Sequence, residues 1–408
     1  MGNLEGTKIN KIDGGNGRLS ATNARVFLMI GVIASLAGST LQANEPVKLI
    51  QTKDVEAVGI TPAFDANNKV LAHYHVSEFF RNAPEGTLYF LPVADDATIT
   101  ETLPTILQTL KTHPEIKGVG FFGFADQTLT SVFGLVESLQ EDLVGEAKKS
   151  GILIDSVFLE AGGKGALTFN NYPDFTTKSA ENISVIIGQD RDVADLETEY
   201  AAHSSIGSAL GMLAVRQISE NLGSTDIINK PEDRKAERFY SLTDSATGKF
   251  VNVGLSTGEK LAELTDAQIK SLQEKGYILI GSYVGAAGMY FSGSETCTSS
   301  TSKYSTIENN SVWNAAARLI REALAPYIKG KVKKDPATGF IRSTTIAHWQ
   351  QVAYKACIER MESENDISAG SIYINPAQSP NKDNPVKISV TIESDEIAHT
   401  FEVDLTVQ

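Results

Sequence analysis

"TLYFLPVADDATITETLPTILQTLKTHPEIKGVGFFGFA", residues 87–125, decides the fold. It opens on "TLYFLPVA" (Thr87–Ala94), an apolar run of strand length with no polar alternation. Such a run suits a strand buried on both faces. "TITETLPTILQTLKTH" (Thr98–His113) then places its apolar residues at helical spacing, and "GVGFFGFA" (Gly118–Ala125) returns to an unbroken apolar run. Apolar strands joined by an amphipathic helix point to a parallel pair inside a sheet covered on both faces.

The same alternation continues on either side. "SVFGLVESLQEDLVGEAKKSG" (Ser131–Gly151) reads as a helix stopped by its final glycine. "ISVIIGQD" (Ile183–Asp190) is a third strand, and "SSIGSALGMLAVRQISENLG" (Ser204–Gly223) the helix after it. Within that helix, "GSALG" (Gly207–Gly211) gives the GxxxG spacing that lets two helices approach closely. Upstream, the apolar run Val26–Ala37 has the length of a secretion-signal core. A turn-rich "DGGNG" (Asp13–Gly17) precedes it, and Gly31, Ser35 and Gly38 interrupt it, whereas a spanning helix needs about 20 mostly apolar residues. It reads as a buried strand and its following turn, with no membrane insertion.

The 408 residues are 41% hydrophobic and 21% charged, an ordinary globular balance that can bury a large core. The net charge of -14 argues against a nucleic-acid binder, which needs a basic face to neutralise phosphates. The one dense basic run, "KGKVKK" (Lys329–Lys334), reads as a solvated loop. Cys297 and Cys357 stand alone, without the paired spacing of a zinc site; they fit a reducing compartment, with a single bridge left open.

Beyond residue 225 the pattern changes to α+β. In "LTDAQIKSLQEKG" (Leu264–Gly276), Thr265 and Gln268 form a capping box, Leu264 and Ile269 a hydrophobic staple, and Gly276 the stop. "STIENNSVWNAAARLIREALAPYI" (Ser305–Ile328) is the longest helix candidate, opened by Ser305 with Glu308, and with Trp313, Ala317, Ile320 and Leu324 on one face. A further helix spans about Thr344 to Glu364. At the end, Val386, Ile388, Val390 and Ile392 alternate with polar residues, and so do Phe401, Val403, Leu405 and Val407. Two such runs form a one-sided β-hairpin, which is marginal alone and must be covered, with its edges paired or blunted. Residues 1–25 are polar and glycine-rich, with a short β-like "TKINKID" (Thr7–Asp13), and read as an arm that needs a partner surface. The expected organisation is an arm (1–25), an α/β unit (26–225), an α+β unit (226–383) and a terminal hairpin (384–408).

Catalytic patterns are weak. "GLSTG" (Gly254–Gly258) matches the nucleophile elbow around Ser256, with Asp266 and His348 as the available partners, but the next helix starts several residues late. "GGKG" (Gly162–Gly165) and "ATGK" (Ala246–Lys249) lack phosphate-loop spacing and read as loops. His73 and His75 in "HYH" would share a face if they lay on a strand, yet no third ligand is spaced to join them. No cofactor or metal is implied.

Three stretches together resemble the contractile tail sheath protein family of phages, prophages and related injection systems. "GTKINKIDGGNGRLSATNARVFLMIG" (Gly6–Gly31) is similar to that family's N-terminal arm and first core strand. "SLTDSATGKFVNVGLSTGEKLAELTDAQIKSLQEKGYILIGSYVGAAGMYFSGSETC" (Ser241–Cys297) resembles its lead-in to the C-terminal part, and "YSTIENNSVWNAAARLIREALAPYI" (Tyr304–Ile328) its long helix. Where many members carry tryptophan–glycine and arginine–threonine, this chain has "FSGSETC" (Phe291–Cys297), the mark of a divergent branch.

The resemblance implies a mostly parallel α/β sheet flanked by helices, plus a C-terminal α+β sheath subdomain. It also implies a non-enzymatic structural subunit, assembled in a bacterial cytoplasm into a virion tail or contractile particle. Stacked hexameric rings would surround an inner tube and contract to drive it through a target envelope. The partners implied are copies of the same chain, an inner tail tube protein, and baseplate and terminator proteins. Terminal strands would cross between subunits by β-augmentation, through Thr7, Ile9 and Ile12 at one end and Val386, Ile388, Val390, Ile392, Phe401, Val403, Leu405 and Val407 at the other. Lys331, Lys333 and Lys334 are the candidates for contact with an acidic tube. The competing readings are an α/β serine hydrolase using Ser256, and another virion or baseplate structural protein.

Overall fold

The computed structural model describes residues 25–33, 35–162, 171–379 and 385–399. Thr7, Ile9, Ile12, Phe401, Val403, Leu405 and Val407 lie outside the described residues.

The structure is built outward from β1 (Val26–Val32), whose seven residues are all buried. No polar side chain interrupts VFLMIGV, so the strand can pack both faces. Val26, Leu28, Ile30 and Val32 enter one core and Phe27 and Met29 the other, as period-two geometry requires. Burying side chains of this size contributes about 1.5–3 kcal/mol each, which makes the centre of the sheet their only stable place.

The chain then runs through β2 (Val47–Leu49), α1 (Ala72–Asn82), β3 (Thr87–Val93), α2 (Ile99–Thr112), β4 (Ile116–Phe122), α3 (Leu129–Leu139), β5 (Ser156–Glu160), β6 (Ile183–Ile186), α4 (Ile206–Val215), α5 (Asp266–Glu274) and β7 (Tyr277–Ile278). Seven strands form one sheet in the order β7-β6-β5-β4-β1-β3-β2. Every pairing is parallel except β2 with β3 at one edge. Apolar side chains of α2 and α3 cover one face, and those of α1 (Val76, Phe79 and Phe80) and α4 the other. The α/β reading with a mostly parallel sheet therefore holds, and the run from Val26 is one of its interior strands. Among the described residues no helix is long and apolar enough to cross a membrane.

Local signals act where the sequence places them. Thr98 and Glu101 close a capping box on α2, and Thr265 and Gln268 do so on α5. Gly151 and Gly276 take φ of 82° and 84° after their helices, a region that costs glycine nothing. Gly207 and Gly211 press α4 against α1: a Cβ on Gly207 would lie 2.1 Å from the His75 carbonyl oxygen, and one on Gly211 2.5 Å from that of Phe79.

One helix expectation is corrected. α4 ends at Val215 instead of reaching Gly223, because the buried Arg216 guanidinium satisfies the carbonyls of Met212, Asn221 and Ser224 and turns the chain. "HYH" belongs to α1, so His73 and His75 point to different sides. His73 meets Glu56 at 3.1 Å, while His75 is buried against Phe122.

Further elements include α6 (Ile307–Leu324), α7 (Ser343–Tyr354), β8 (Ala369–Ile374) and β9 (Ile388–Glu393), beside three other small two-stranded sheets. Thr306 takes the N-cap position of α6 without a side-chain capping bond, and Glu308 accepts from the Asn221 amide at 2.9 Å instead of closing a box with Ser305. Its buried face carries Ile307, Ser311, Val312 and Ala316, while Trp313 is 39% exposed beneath the Lys148 ammonium. Polar side chains decide that orientation: Asn314 donates to the Ile154 carbonyl and the Asp155 carboxylate, and Arg318 donates to Asp155 as well.

Candidate assembly interface

β8 and β9 form a separate two-stranded antiparallel sheet, with Ala369 opposite Glu393 and Ile374 opposite Ile388. The alternation read from the sequence is real: in β9, Ile388, Val390 and Ile392 are half-buried, while Ser389, Thr391 and Glu393 are exposed. The partner of β9 is β8, which sequence reading missed. Its alternating signal, Ile372 and Ile374 between Ser371 and Tyr373, is one residue pair long and easily passed over.

The chain's own helices cover the apolar face. Ile372, Val390 and Ile392 pack on Val312, Ala316, Cys357, Ile358, Met361 and Ile367. Val386 and Ile388 pack with Ile374 on Ile341, Ile346 and Trp349. The Ile358 side chain also lies where a Cβ of Gly370 would fall, so the sheet sits close on the helices there. Burial moves the titrating groups beneath it: the Cys357 thiol is pushed up to about 11 and the Asp366 carboxyl up to about 6. No third strand flanks β8 or β9 among the described residues. The Ile372 carbonyl on the β8 side accepts from the Gln350 amide at 3.1 Å. A two-stranded sheet covered on one face and unextended at its edges can accept further strands by main-chain pairing.

Lys331, Lys333 and Lys334 are exposed beside this sheet. Lys334 reaches the Ser379 hydroxyl at 3.3 Å, and its carbonyl accepts from Arg342.

The catalytic alternative does not assemble. Ser256 is buried and its hydroxyl donates to the Ala161 carbonyl, while its amide donates to Ile187. The "GLSTG" chain turns back on itself, Leu255 donating to Glu259, instead of entering a helix. His348 is bonded to the Tyr327 hydroxyl at 2.9 Å, and Asp266 opens α5. "ATGK" is a turn held by the Asp244 carboxylate, which accepts from the amides of Ala246 and Thr247. Cys297 and Cys357 are buried free thiols.

A chain in the cryo-EM structure of the anti-feeding prophage baseplate, six-fold symmetrised, superposes with a TM-score of 0.60 at 13% identity, covering 100% of both chains. A chain from that baseplate in its contracted state gives 0.58 at 13%, over 99% of this chain and 98% of the other. The crystal structure of a sheath tail protein from Desulfitobacterium hafniense gives 0.53 at 9%, over 96% of this chain and 100% of that one. At these identities the likeness establishes the fold. No curated protein sequence matches. The profile described as DUF2586, N-terminal domain, matches residues 4–295, and the chain belongs to that family.

Proposed function

We propose that this chain is a structural subunit of a contractile tail or injection particle, and within it the sheath subunit. Copies polymerise as stacked hexameric rings around an inner tube protein, joined at the ends to baseplate and terminator proteins. The observation that carries the reading is the terminal sheet: a covered apolar face with no strand beyond β8 or β9 among the described residues. The end-to-end likeness to a solved sheath tail protein supports it. In this reading the segment around Thr7, Ile9 and Ile12, and the run Phe401, Val403, Leu405 and Val407, supply strands to the β8–β9 sheet of a neighbouring copy. Such head-to-tail links do not close on themselves and therefore generate a helix. Lys331, Lys333 and Lys334 then stand beside the linked edge as candidates for the tube contact. In this reading residues 1–25 and the run after β9 are the linking ends.

A second reading, a baseplate component, is favoured by the likeness to chains of the anti-feeding prophage baseplate. Negative-stain microscopy of the purified full-length protein separates the two. Long striated rods are the expected result; six-fold rings that never stack indicate the baseplate role, and isolated particles at every concentration overturn both.

A further inference from the structure

The stretch "FSGSETC" (Phe291–Cys297) is closed onto the first turn of α6 by main-chain contacts. The Ser294 carbonyl accepts from the Ile307 amide at 3.0 Å, and the Thr296 amide donates to the Ser305 carbonyl at 3.0 Å. Between them Glu295 pairs with Thr306 as an isolated antiparallel bridge. The loop that follows α4 joins the same junction. The Leu222 amide donates to the Ser294 hydroxyl at 2.7 Å, and the Asn221 carboxamide donates to Glu308 at 2.9 Å.

This junction encloses two carboxyl groups. Glu308 is 5% exposed, and the Oε2 atoms of Glu295 and Glu308 are both buried without a hydrogen-bond partner among the described residues. Glu295 folds back over Gly293, where a Cβ would lie 2.4 Å from its Oε1. The Glu308 charge acts on the Glu295 carboxyl, so the two are neighbours in one site. The groups that face them are neutral: Asn221, Ser294 and Thr306 around Glu308, and Tyr283 beside Glu295. Arg216, which acts on Tyr283, spends its guanidinium on the carbonyls of Met212, Asn221 and Ser224. Glu220, on the same loop as Asn221, is turned to the amides of Gln217 and Ile228.

Two ionised carboxyls in one buried site repel each other, so one keeps its proton. Position decides which. Glu308 lies in the first turn of an 18-residue helix, where the dipole favours negative charge, and it accepts from Asn221. Glu295 is held by its own amide, and burial, with the Glu308 charge added, pushes it up to about 7. Burial raises Glu308 as well. Neither unpaired oxygen is open to a dissolved molecule, and a proton is the ligand that can still reach them. We propose that Glu295 and Glu308 form a proton-binding pair: one proton, carried by Glu295, keeps the Phe291–Cys297 stretch closed on α6, and its loss loosens that junction. Val312 and Ala316 of α6 pack beneath the β8–β9 sheet, so the proton acts on the helix that supports the terminal sheet.

The test follows full-length protein, labelled with ¹³C at the glutamate side-chain carboxyls and ¹⁵N at the amides, by NMR from about pH 5 to about pH 9. Glu160 titrates in the same range, so the pair is assigned by the signals lost in Glu295→Gln and Glu308→Gln. In wild type the Glu295 carboxyl should still carry its proton when Glu308 has ionised. In Glu295→Gln, Glu308 should titrate at least about one pH unit lower, because its neighbour can no longer ionise. Glu308→Gln is the same test from the other side and should lower Glu295. The Leu222 and Ile307 amide signals should move with the upper step in wild type and lose that movement in Glu295→Gln. A Glu308 titration unmoved by Glu295→Gln would show two independent carboxyls and overturn the pair. So would a wild type with both groups ionised below about pH 5. Amides that ignore the upper step would overturn the latch.

Discussion

Arg318 on α6 reaches Asp155, the residue just before β5, at 3.1 Å; the Asp155 side chain is 1% exposed and that of Arg318 21%. This pair ties the long helix to the parallel sheet, with Asn314 on the same carboxylate. Removing one partner of a buried pair leaves the other charge uncompensated. Arg318→Ala should therefore destabilise the protein by about 3 kcal/mol, and Arg318→Ala with Asp155→Asn by less than the sum of the single changes. Urea unfolding of the four proteins measures both, and additive effects would show that the two groups are not coupled.

Glycines at two helical sites should respond to alanine with opposite signs. Gly207→Ala gains about 1 kcal/mol of helix propensity but drives a Cβ to within 2.1 Å of the His75 carbonyl, backbone that cannot step aside. Overpacking costs about 1–3 kcal/mol or more, so the variant should lose stability. Gly134 in α3 is exposed, with nothing within 4 Å of its Cβ position, and Gly134→Ala should gain about 0.5–1 kcal/mol. Thermal midpoints that move the same way in both variants would contradict the close α1–α4 approach.

These contrasts also explain what the sequence made legible. Long signals with one physical cause survived folding: the unbroken apolar run of β1, the GxxxG approach at Gly207, the capping box at Thr265. Signals that depend on distant partners did not. The face of α6 is chosen by Asp155 and Asn221, more than eighty positions away, so counting apolar residues put Trp313 inside when it is exposed. β5 carries a glutamate in an apolar pentapeptide and β8 a single isoleucine alternation, too little for periodicity to register. The contact of His75 with His203 was invisible for the same reason, since only the packing of helix α1 places the two rings together.

Glu160 supplies a pH signature. Its carboxyl accepts from the amides of Gly123 at 2.6 Å and Ser204 at 2.9 Å, yet burial outweighs both bonds and pushes it up to about 7. An unfolded glutamate titrates near about 4.3. The folded state therefore holds this proton more tightly, and its contribution is full below about pH 4.3 and lost as pH rises through about 7. Asp65, Glu295 and Asp366 are raised in the same sense, and His203, lowered to about 4, acts in the opposite one. Comparison with Glu160→Gln cancels those common contributions. Relative to wild type, the variant should gain about 2–3 kcal/mol between about pH 4.5 and pH 8. Denaturant unfolding across that range checks it, and a difference that stays flat would place the carboxyl in water.

The terminal sheet separates folding from assembly. Ile388 faces Ile341, Ile346 and Trp349 of its own subunit, while Ser389 next to it faces outward. A charge at Ile388 would be buried without a partner, and the sheet would leave its helices instead of accepting it. The large core around β1 does not touch this residue, so the body should stay folded. Ile388→Asp should therefore keep the cooperative thermal transition of the body and form no rods in the microscope. Ser389→Asp, on the open face, should keep both. Normal rods from Ile388→Asp would separate assembly from β9 altogether, because a strand that has left its place cannot pair with a neighbour. Loss of rods from Ser389→Asp alone would move the contact from the strand edge to the outer face of the sheet.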